Sequence, residues 1–428
     1  MNNIFDLILP RFKLDKNKKT RLITLFSGYD SQKLAFNYID KNVEHYKAIE
    51  FDKYVVQTLN EIHNTNFETI DIKSIGGGYL DIVDKIHYQY IMTYSFPCTD
   101  LSLAGKRRGM AKDSGTRSSL LWQVERLLNE TKELPDVLIM ENVKQVLTAD
   151  GWEDWCLFLE QKGYSNYAEV LNAKNYGIPQ NRERCFMVSI LGEYNYTFPK
   201  KIKLEYELKD LLDTQVDEKY FISEKMILGM KKTKFNSYNY NNNNNMTNKK
   251  TIKTLTTSTG EKAPLFIEIP EATKTDFKQA FEGDSVYINR PYQKRGVVQN
   301  NIAITLKTQL DIGVVVKDTE NYIEWKTPGK LEIDCRAFKE DKISSTTTPK
   351  QKALLNNLRI RRITPKECFR LMGVKDSDSN KITCSDTQKY KQAGNSIVTT
   401  CLMAIYSQLY DDVDYVYYIE KLLKQLKE

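Results

Sequence analysis

Histidine is scarce in this chain. There are three in 428 residues, at positions 45, 63 and 87, and none forms an HxE or HxxxH pair. Zinc sites and histidine-based acid–base chemistry are therefore poorly supplied. The seven cysteines are an odd number, scattered, with no CxxC pair. That fits reduced thiols rather than a disulfide framework. No apolar run approaches the roughly 20 residues that a membrane helix needs. The N-terminal stretch MNNIFDLILPRFKLDKNKK places its short apolar patch before its basic cluster, the reverse of a signal peptide. A cytoplasmic chain without membrane attachment is expected. A strong excess of one charge is also missing. Lys and Arg total 63 against 56 Asp and Glu, a net charge of +7. This permits a phosphate-rich partner without requiring one. Catalysis here falls to Cys, carboxylates or Arg.

The hydrophobic fraction, 41%, is ordinary and allows a sizeable core. The length suggests two or three domains. RLITLF at 21–26 reads as a buried strand, followed by a helical face of Leu34, Ala35, Tyr38 and Ile39. YKAIEF is a second short strand, and DKYVVQTLNEIH a helix. FETIDI at 67–72 and YIMTY at 90–94 are further expected strands. SLLWQVERLLNE is an expected helix, and DVLIMENV an apolar strand ending in Glu141-Asn142. The alternation predicts a doubly wound α/β domain with a mostly parallel sheet. After about residue 195 the character changes. Residues 236–250 are Asn-rich and low in complexity. Thr-rich and β-branched runs (TLTTST, PLFIEI, IAITL, IGVVV) then suggest short strands. Helices return from about 360, where Thr364-Pro365 and Glu367 look like a helix start.

Three short segments carry chemistry. YSFPCTDLS follows the YIMTY strand, so Cys98 sits where an open α/β sheet places its active-site loops. Pro97 fixes its own backbone and pushes Phe96 towards extended geometry. Taken alone, Cys98 reads better as a buried structural thiol. Glu141 closes an apolar strand, and alone would pass for a surface carboxylate. In Gln180-Asn181-Arg182-Glu183-Arg184 the arginines alternate and would share a face if extended.

Together the blocks resemble the bacterial and phage DNA (cytosine-5)-methyltransferases. They are LFSG at 25–28, FPC at 96–98, ENV at 141–143, QNRER at 180–184, RRITPKECFRLMG at 361–373 and QAGNSIV at 392–398. Their order and spacing match the family over nearly the whole chain. The resemblance implies a Rossmann-like, S-adenosyl-L-methionine-dependent methyltransferase domain over residues 1–198 and 358–428, with a smaller, mainly β target-recognition domain over 199–357. It implies methyl transfer to C5 of a flipped-out cytosine in duplex DNA, leaving S-adenosyl-L-homocysteine. Cys98 would attack C6, since a thiolate adding there makes C5 nucleophilic. Glu141 would hold N3 and the exocyclic amine. Arg184 would hold the cytosine O2, and Arg182 would support the pocket. Phe26, Ser27 and Gly28 would approach the methionine part of the cofactor. Glu50 would take the ribose hydroxyls and Phe51 would stack on adenine. Asp71 and Ile72 would contact the adenine amine and ring. Pro97 and Leu120 would line the pocket, and Asn395 and Ser396 would close it. The family usually shows FxGxG; here Asp30 fills the second glycine slot. Near a cofactor carboxylate it would repel, so no binding role is expected of it.

In the insert, Thr305-Leu306 resembles the Thr-Leu pair used beside the flipped base, with Thr254-Leu255 a competing match. Gln180, Arg290, Lys294, Arg295, Thr305 and Leu306 are expected at the DNA. No metal is expected. A monomer is expected, and a companion restriction endonuclease, acting separately, is compatible with this role. An RNA (tRNA) methyltransferase of the same fold is disfavoured by the long insert. A catalytically silent DNA-binding relative is disfavoured by the intact Cys98, Glu141 and Arg184. A zinc cytidine deaminase lacks its ligands here.

Overall fold

The computed structural model describes residues 9–98, 101, 110, 112, 118–222, 266–270, 277–288, 297–308, 311–317 and 358–428. The chain forms two compact units. The first comprises Met1–Leu211, Thr305–Leu310 and Pro365–Glu428; the second comprises Leu212–Ile304 and Asp311–Thr364. Residues 199–211 thus group with the first unit and 358–364 with the second, unlike the limits expected at 199 and 357.

The first unit opens with β1 (Lys19–Leu25), α1 (Ser31–Tyr38), β2 (Glu44–Ile49), α2 (Lys53–His63) and β3 (Tyr88–Tyr94). It continues with α3 (Leu121–Glu130), β4 (Val137–Asn142), α4 (Trp152–Gln161), β5 (Tyr164–Asn172), β6 (Gln180–Asn181) and β7 (Glu183–Leu191). Six strands form one sheet in the order β2-β1-β3-β4-β7-β5. β1 to β4 pair in parallel, while β7 runs antiparallel to both β4 and β5. This is a Rossmann-like, parallel-rich sheet. Every residue of β4 is buried, as expected of a strand covered on both faces. The buried side chains of α3, Leu121, Val124, Leu127 and Leu128, recur at helical spacing on one face.

The strand expected over 67–72 does not form. The Asn60 side chain instead binds the backbone N–H and carbonyl of Phe67. Asp71 then accepts the N–H of Lys73 and starts a 3-10 turn, Ile72–Ser74. These local side-chain bonds offer the backbone partners other than a neighbouring strand.

The C-terminal segment adds α5 (Pro365–Arg370), α6 (Asp376–Ser379), α7 (Asp386–Asn395), α8 (Thr399–Ser407) and α9 (Tyr415–Gln425). All of α8 is buried, and its Tyr406 stacks on Phe36 of α1 at 3.9 Å between ring centroids. Arg370 and Asp376, both buried, form a two-pronged ion pair at 2.8 and 2.6 Å. Sequence from both ends of the chain therefore builds one core.

In the second unit β8 (Phe266–Pro270) pairs antiparallel with β9 (Phe277–Phe281). β10 (Ser285–Tyr287), β11 (Val298–Gln299), β13 (Ile312–Lys317) and β14 (Leu358–Arg362) form a second antiparallel sheet, ordered β11-β10-β13-β14. β12 (Ala303–Ile304) is a two-residue strand between them in sequence. The Asn-rich segment 236–250, the TLTTST run, and Arg290, Lys294 and Arg295 lie outside the described residues.

Candidate active site

In the main sheet β2 lies on one side of β1 and β3 on the other. The carboxyl ends of β1 and β3 therefore frame the crevice in which such folds bind ligands. Register brings the key residues to that edge. Leu25 lies opposite Tyr94, and Tyr94 opposite Met140. Ser95 and Glu141 follow directly. β7 runs the other way, and its pairing of Cys185 with Asn142 brings Arg184 to the same edge.

Glu141 is buried, and both its oxygens are engaged. Oε2 accepts the Ser95 hydroxyl at 2.6 Å, and Oε1 lies 3.2 Å from Nε of Arg184. The loop carrying Cys98 is braced on two sides. Asn142 Nδ2 donates to the Phe96 carbonyl at 3.0 Å, and the Ser118 hydroxyl to the Pro97 carbonyl at 2.8 Å. Burial pushes the Cys98 thiol above its ordinary pKa; Arg184 and, more weakly, Arg182 draw it down, while Glu141 adds to the rise. The four side chains thus act on one another in a single space.

Arg182 turns inward. It is fully buried and donates to the carbonyls of Leu306 (3.0 Å), Gly394 (3.0 Å) and Ser396 (2.7 Å). Burial, and then the neighbouring Arg184, lower its pKa to about 9, which leaves it charged at neutral pH. Gln180, expected at the DNA, has no exposed surface. Its amide donates to the Leu371 carbonyl at 2.7 Å and accepts the Leu306 N–H at 3.2 Å, so it is a structural tie. Leu306, also expected at the DNA, is buried, and its backbone lies between Gln180 and Arg182. Thr305 is half-buried, and its hydroxyl donates to the Asn181 carbonyl.

The loop after β1 has three left-handed residues in alternation, Phe26, Gly28 and Asp30, at φ 56°, 59° and 62°. Gly28 donates its N–H to Oε2 of Glu50 at 3.0 Å. The other oxygen of Glu50 accepts the N–H groups of Phe51 and Asp52, at 2.9 Å each. Glu50 thereby ties the loop after β1 to the loop after β2. Burial raises its pKa and the three N–H bonds oppose the rise. Ser27 is buried, with its hydroxyl 3.0 Å from the Thr24 carbonyl.

Phe51 is 71% exposed, unusual for a large aromatic at a strand end. With Asp52, Tyr54, Thr69 and Lys391 it lines an open cleft of about 450 Å³. This face suits a planar heterocycle, and Glu50 beside it retains acceptor capacity for hydroxyls. The donor set therefore fits an adenosine group. Asp71 spends one oxygen on its own turn, while Ile72 is packed in the core. Pro97 and Leu120 are half-buried. Asn395 is exposed at the end of α7, and Ser396 is buried with its hydroxyl 3.3 Å from that of Ser31.

Asp30, of which no binding role is expected, turns its carboxylate inward, bonded to the Thr24 hydroxyl, the Lys33 N–H and His45.

A family model of the C-5 cytosine-specific DNA methylases matches residues 20–411. The chain belongs to that family. It is a DNA cytosine methyltransferase. Similar curated relatives include the Type II methyltransferase M2.ScrFI of Lactococcus lactis subsp. cremoris, 30% identical over 84% of this chain and 74% of that one. The orphan methyltransferase M.SPRI of Bacillus phage SPR is 26% identical over 91% of this chain and 97% of its own. In fold, the methylase is similar to the Entamoeba histolytica methyltransferase EhMeth (TM-score 0.59, 15% identity, 92% of this chain and 99% of that one). It is also similar to the S. pombe Dnmt2 methyltransferase (TM-score 0.54, 15% identity, 92% and 98%). Among the described residues of this methylase, no helix is long and apolar enough to cross a membrane, and no His, Cys, Asp and Glu cluster could hold a metal.

Sequence reasoning passed over Ser95 and Asn142, which orient Glu141 and the Cys98 loop. The only signal was their adjacency to those residues, in YSFPC and MENV. It also passed over His45, whose partner Asp30 lies 15 positions away.

Proposed function

We propose that this methylase transfers a methyl group from S-adenosyl-L-methionine to C5 of a cytosine flipped out of duplex DNA, through a covalent bond between Cys98 and C6. The observation that carries this reading is the grouping of the Cys98 thiol with Glu141 and Arg184 at the carboxyl edge of the sheet.

The Cys98 thiolate adds to C6, forming the S–C6 bond, and the displaced π electrons move towards N3 and C5. Glu141 shares a proton with N3 and accepts from the exocyclic amine, which stabilises that charge. Arg184 fixes Glu141 and faces O2 of the base. Arg182 holds the two backbone segments that close the pocket. Bound S-adenosyl-L-methionine supplies an electrophilic methyl group on a sulfonium. Once C5 carries the new methyl, a base such as water takes the C5 proton, its electron pair re-forms the C5–C6 double bond, and the S–C6 bond breaks to release Cys98 as the thiolate. Flipping is required because the ring face is inaccessible in the stack, at a cost of a few kcal/mol.

Phe26, Ser27, Gly28, Asn395 and Ser396 would receive the amino-acid end of the cofactor. Glu50, Phe51, Asp71, Ile72, Pro97 and Leu120 would surround its nucleoside. The second unit is assigned to target recognition, and Thr305, which groups with the first unit, is assigned to the side of the extruded base. A companion restriction endonuclease fits a type II system, and the methylase would act as a monomer.

Cys98→Ala should abolish methyl transfer while duplex DNA and cofactor binding persist. Duplex DNA carrying 5-fluorocytosine should trap an adduct that peptide mapping places on Cys98. Recovery of that adduct on Cys156 or Cys185 would overturn the assignment.

A further inference from the structure

Asp30 closes the loop after β1 and caps the N-terminus of α1, with a left-handed backbone that Asp tolerates better than most residues. Its side chain has no exposed surface. A carboxylate so placed must be compensated, because an unpaired interior charge is costly. Three groups meet it. They are the Thr24 hydroxyl of β1 at 2.8 Å, the Lys33 N–H of α1 at 3.1 Å, and Nε2 of His45 on β2 at 2.6 Å.

Two other ionisable groups lie near. His63 of α2 has Nε2 3.1 Å from the backbone carbonyls of both Tyr29 and Asp30. Burial drives its pKa down to about 4, so it stays neutral at physiological pH. Lys33 directs its ammonium to Oδ1 of Asn37 at 2.7 Å. Of the three groups that meet the carboxylate, His45 makes the shortest contact.

We propose that His45 is a positioning residue for cofactor binding: its Nε2, 2.6 Å from Oδ2, holds the Asp30 carboxylate inward and so keeps that charge away from the carboxylate of S-adenosylmethionine at the loop 26–30. This rests on the reading that the loop receives the amino-acid end of the cofactor. Without His45 the Asp30 charge is stranded, and it opposes any ligand carboxylate brought to that loop.

The test is calorimetric binding to the full-length methylase of two ligands, S-adenosylmethionine and its decarboxylated analogue. The proteins are wild type, His45→Gln, Asp30→Asn and the double variant. His45→Gln should bind S-adenosylmethionine at least tenfold more weakly and the decarboxylated analogue less than threefold more weakly. Its KM for the cofactor should rise with kcat unchanged. In the Asp30→Asn background, adding His45→Gln should change either affinity less than twofold. Equal losses for both ligands, or a tenfold loss persisting in the Asp30→Asn background, would show a merely structural role and refute the proposal. Should His45→Gln fail to fold, Asp30→Asn and the double variant still decide: equal affinities support the proposal and a tenfold gap refutes it. A wild-type protein that binds neither ligand would refute the cofactor reading itself. Normal wild-type binding with an unaffected His45→Gln would refute only the role of His45.

Discussion

The thiol proposed as nucleophile is less primed than that role would suggest. Burial holds the Cys98 thiol above its ordinary pKa, and Arg184 is the strongest influence drawing it back. At neutral pH the free enzyme therefore carries mostly thiol, and thiolate increases as pH rises. Alkylation of Cys98 by iodoacetamide, followed by mass spectrometry, should accelerate from neutral to alkaline pH. Arg184→Leu should move that rise to higher pH and lower kcat by about 10²-fold, the usual effect of removing one preorganised donor. Faster alkylation of the variant at any given pH would contradict this account. A second residue-scale prediction concerns Asp376. Burial alone would raise its pKa, but Arg370 and Lys366 outweigh that and hold it below the ordinary carboxylate value. A depressed carboxyl stabilises the fold above its unfolded-state pKa, and that stability is lost as pH falls through the folded value. Arg370→Met should cost about 3–5 kcal/mol at neutral pH, because it strands a buried charge. The cost should shrink in acid, as urea titrations across pH would show.

Close approach between elements is sharpest at Gly394 of α7. A Cβ there would lie 2.4 Å from the backbone carbonyl carbon of Lys307 and 2.5 Å from its oxygen. Gly394→Ala should therefore cost about 1–3 kcal/mol or more, as overpacking does. It should also speed hydrogen exchange at the Leu306 amide, which native-state exchange would report. Elements of this kind differ in how plainly the sequence announces them. β3 and β4 are almost wholly buried, and β4 in particular reads as an apolar run, VLIM, while β1 is buried from Leu22 onward. β5, YSNYAEVLN, is half-exposed and polar, so nothing in its pattern marks it. FETIDI looked like a strand because its apolar residues are closely spaced, yet Asn60 and Asp71 captured its backbone. The order of short blocks singled out the cysteine and carboxylate proposed for the site, and the structure groups them with Arg184. Gln180 was misjudged because its partner Leu371 lies 191 positions away, a contact that only the tertiary structure creates.

At the scale of the whole molecule, both ends of the chain share one core. Tyr406 of α8 stacks on Phe36 of α1, and the Tyr406 hydroxyl is buried without a partner among the described residues. Tyr406→Ala should cost about 3–5 kcal/mol, in the range for deleting a buried aromatic. Tyr406→Phe should be neutral or slightly stabilising, because it removes an unsatisfied polar atom. Thermal melts of the two variants should separate in that order. The path of the chain has a further consequence. It leaves the first unit after Leu211, returns for Thr305–Leu310, leaves again, and re-enters at Pro365. On the proposal that the second unit recognises the target, an engineer wishing to retarget the enzyme faces two inserted cassettes rather than one. The six residues between them belong with the host scaffold, and any donor module would have to be spliced at four junctions around them.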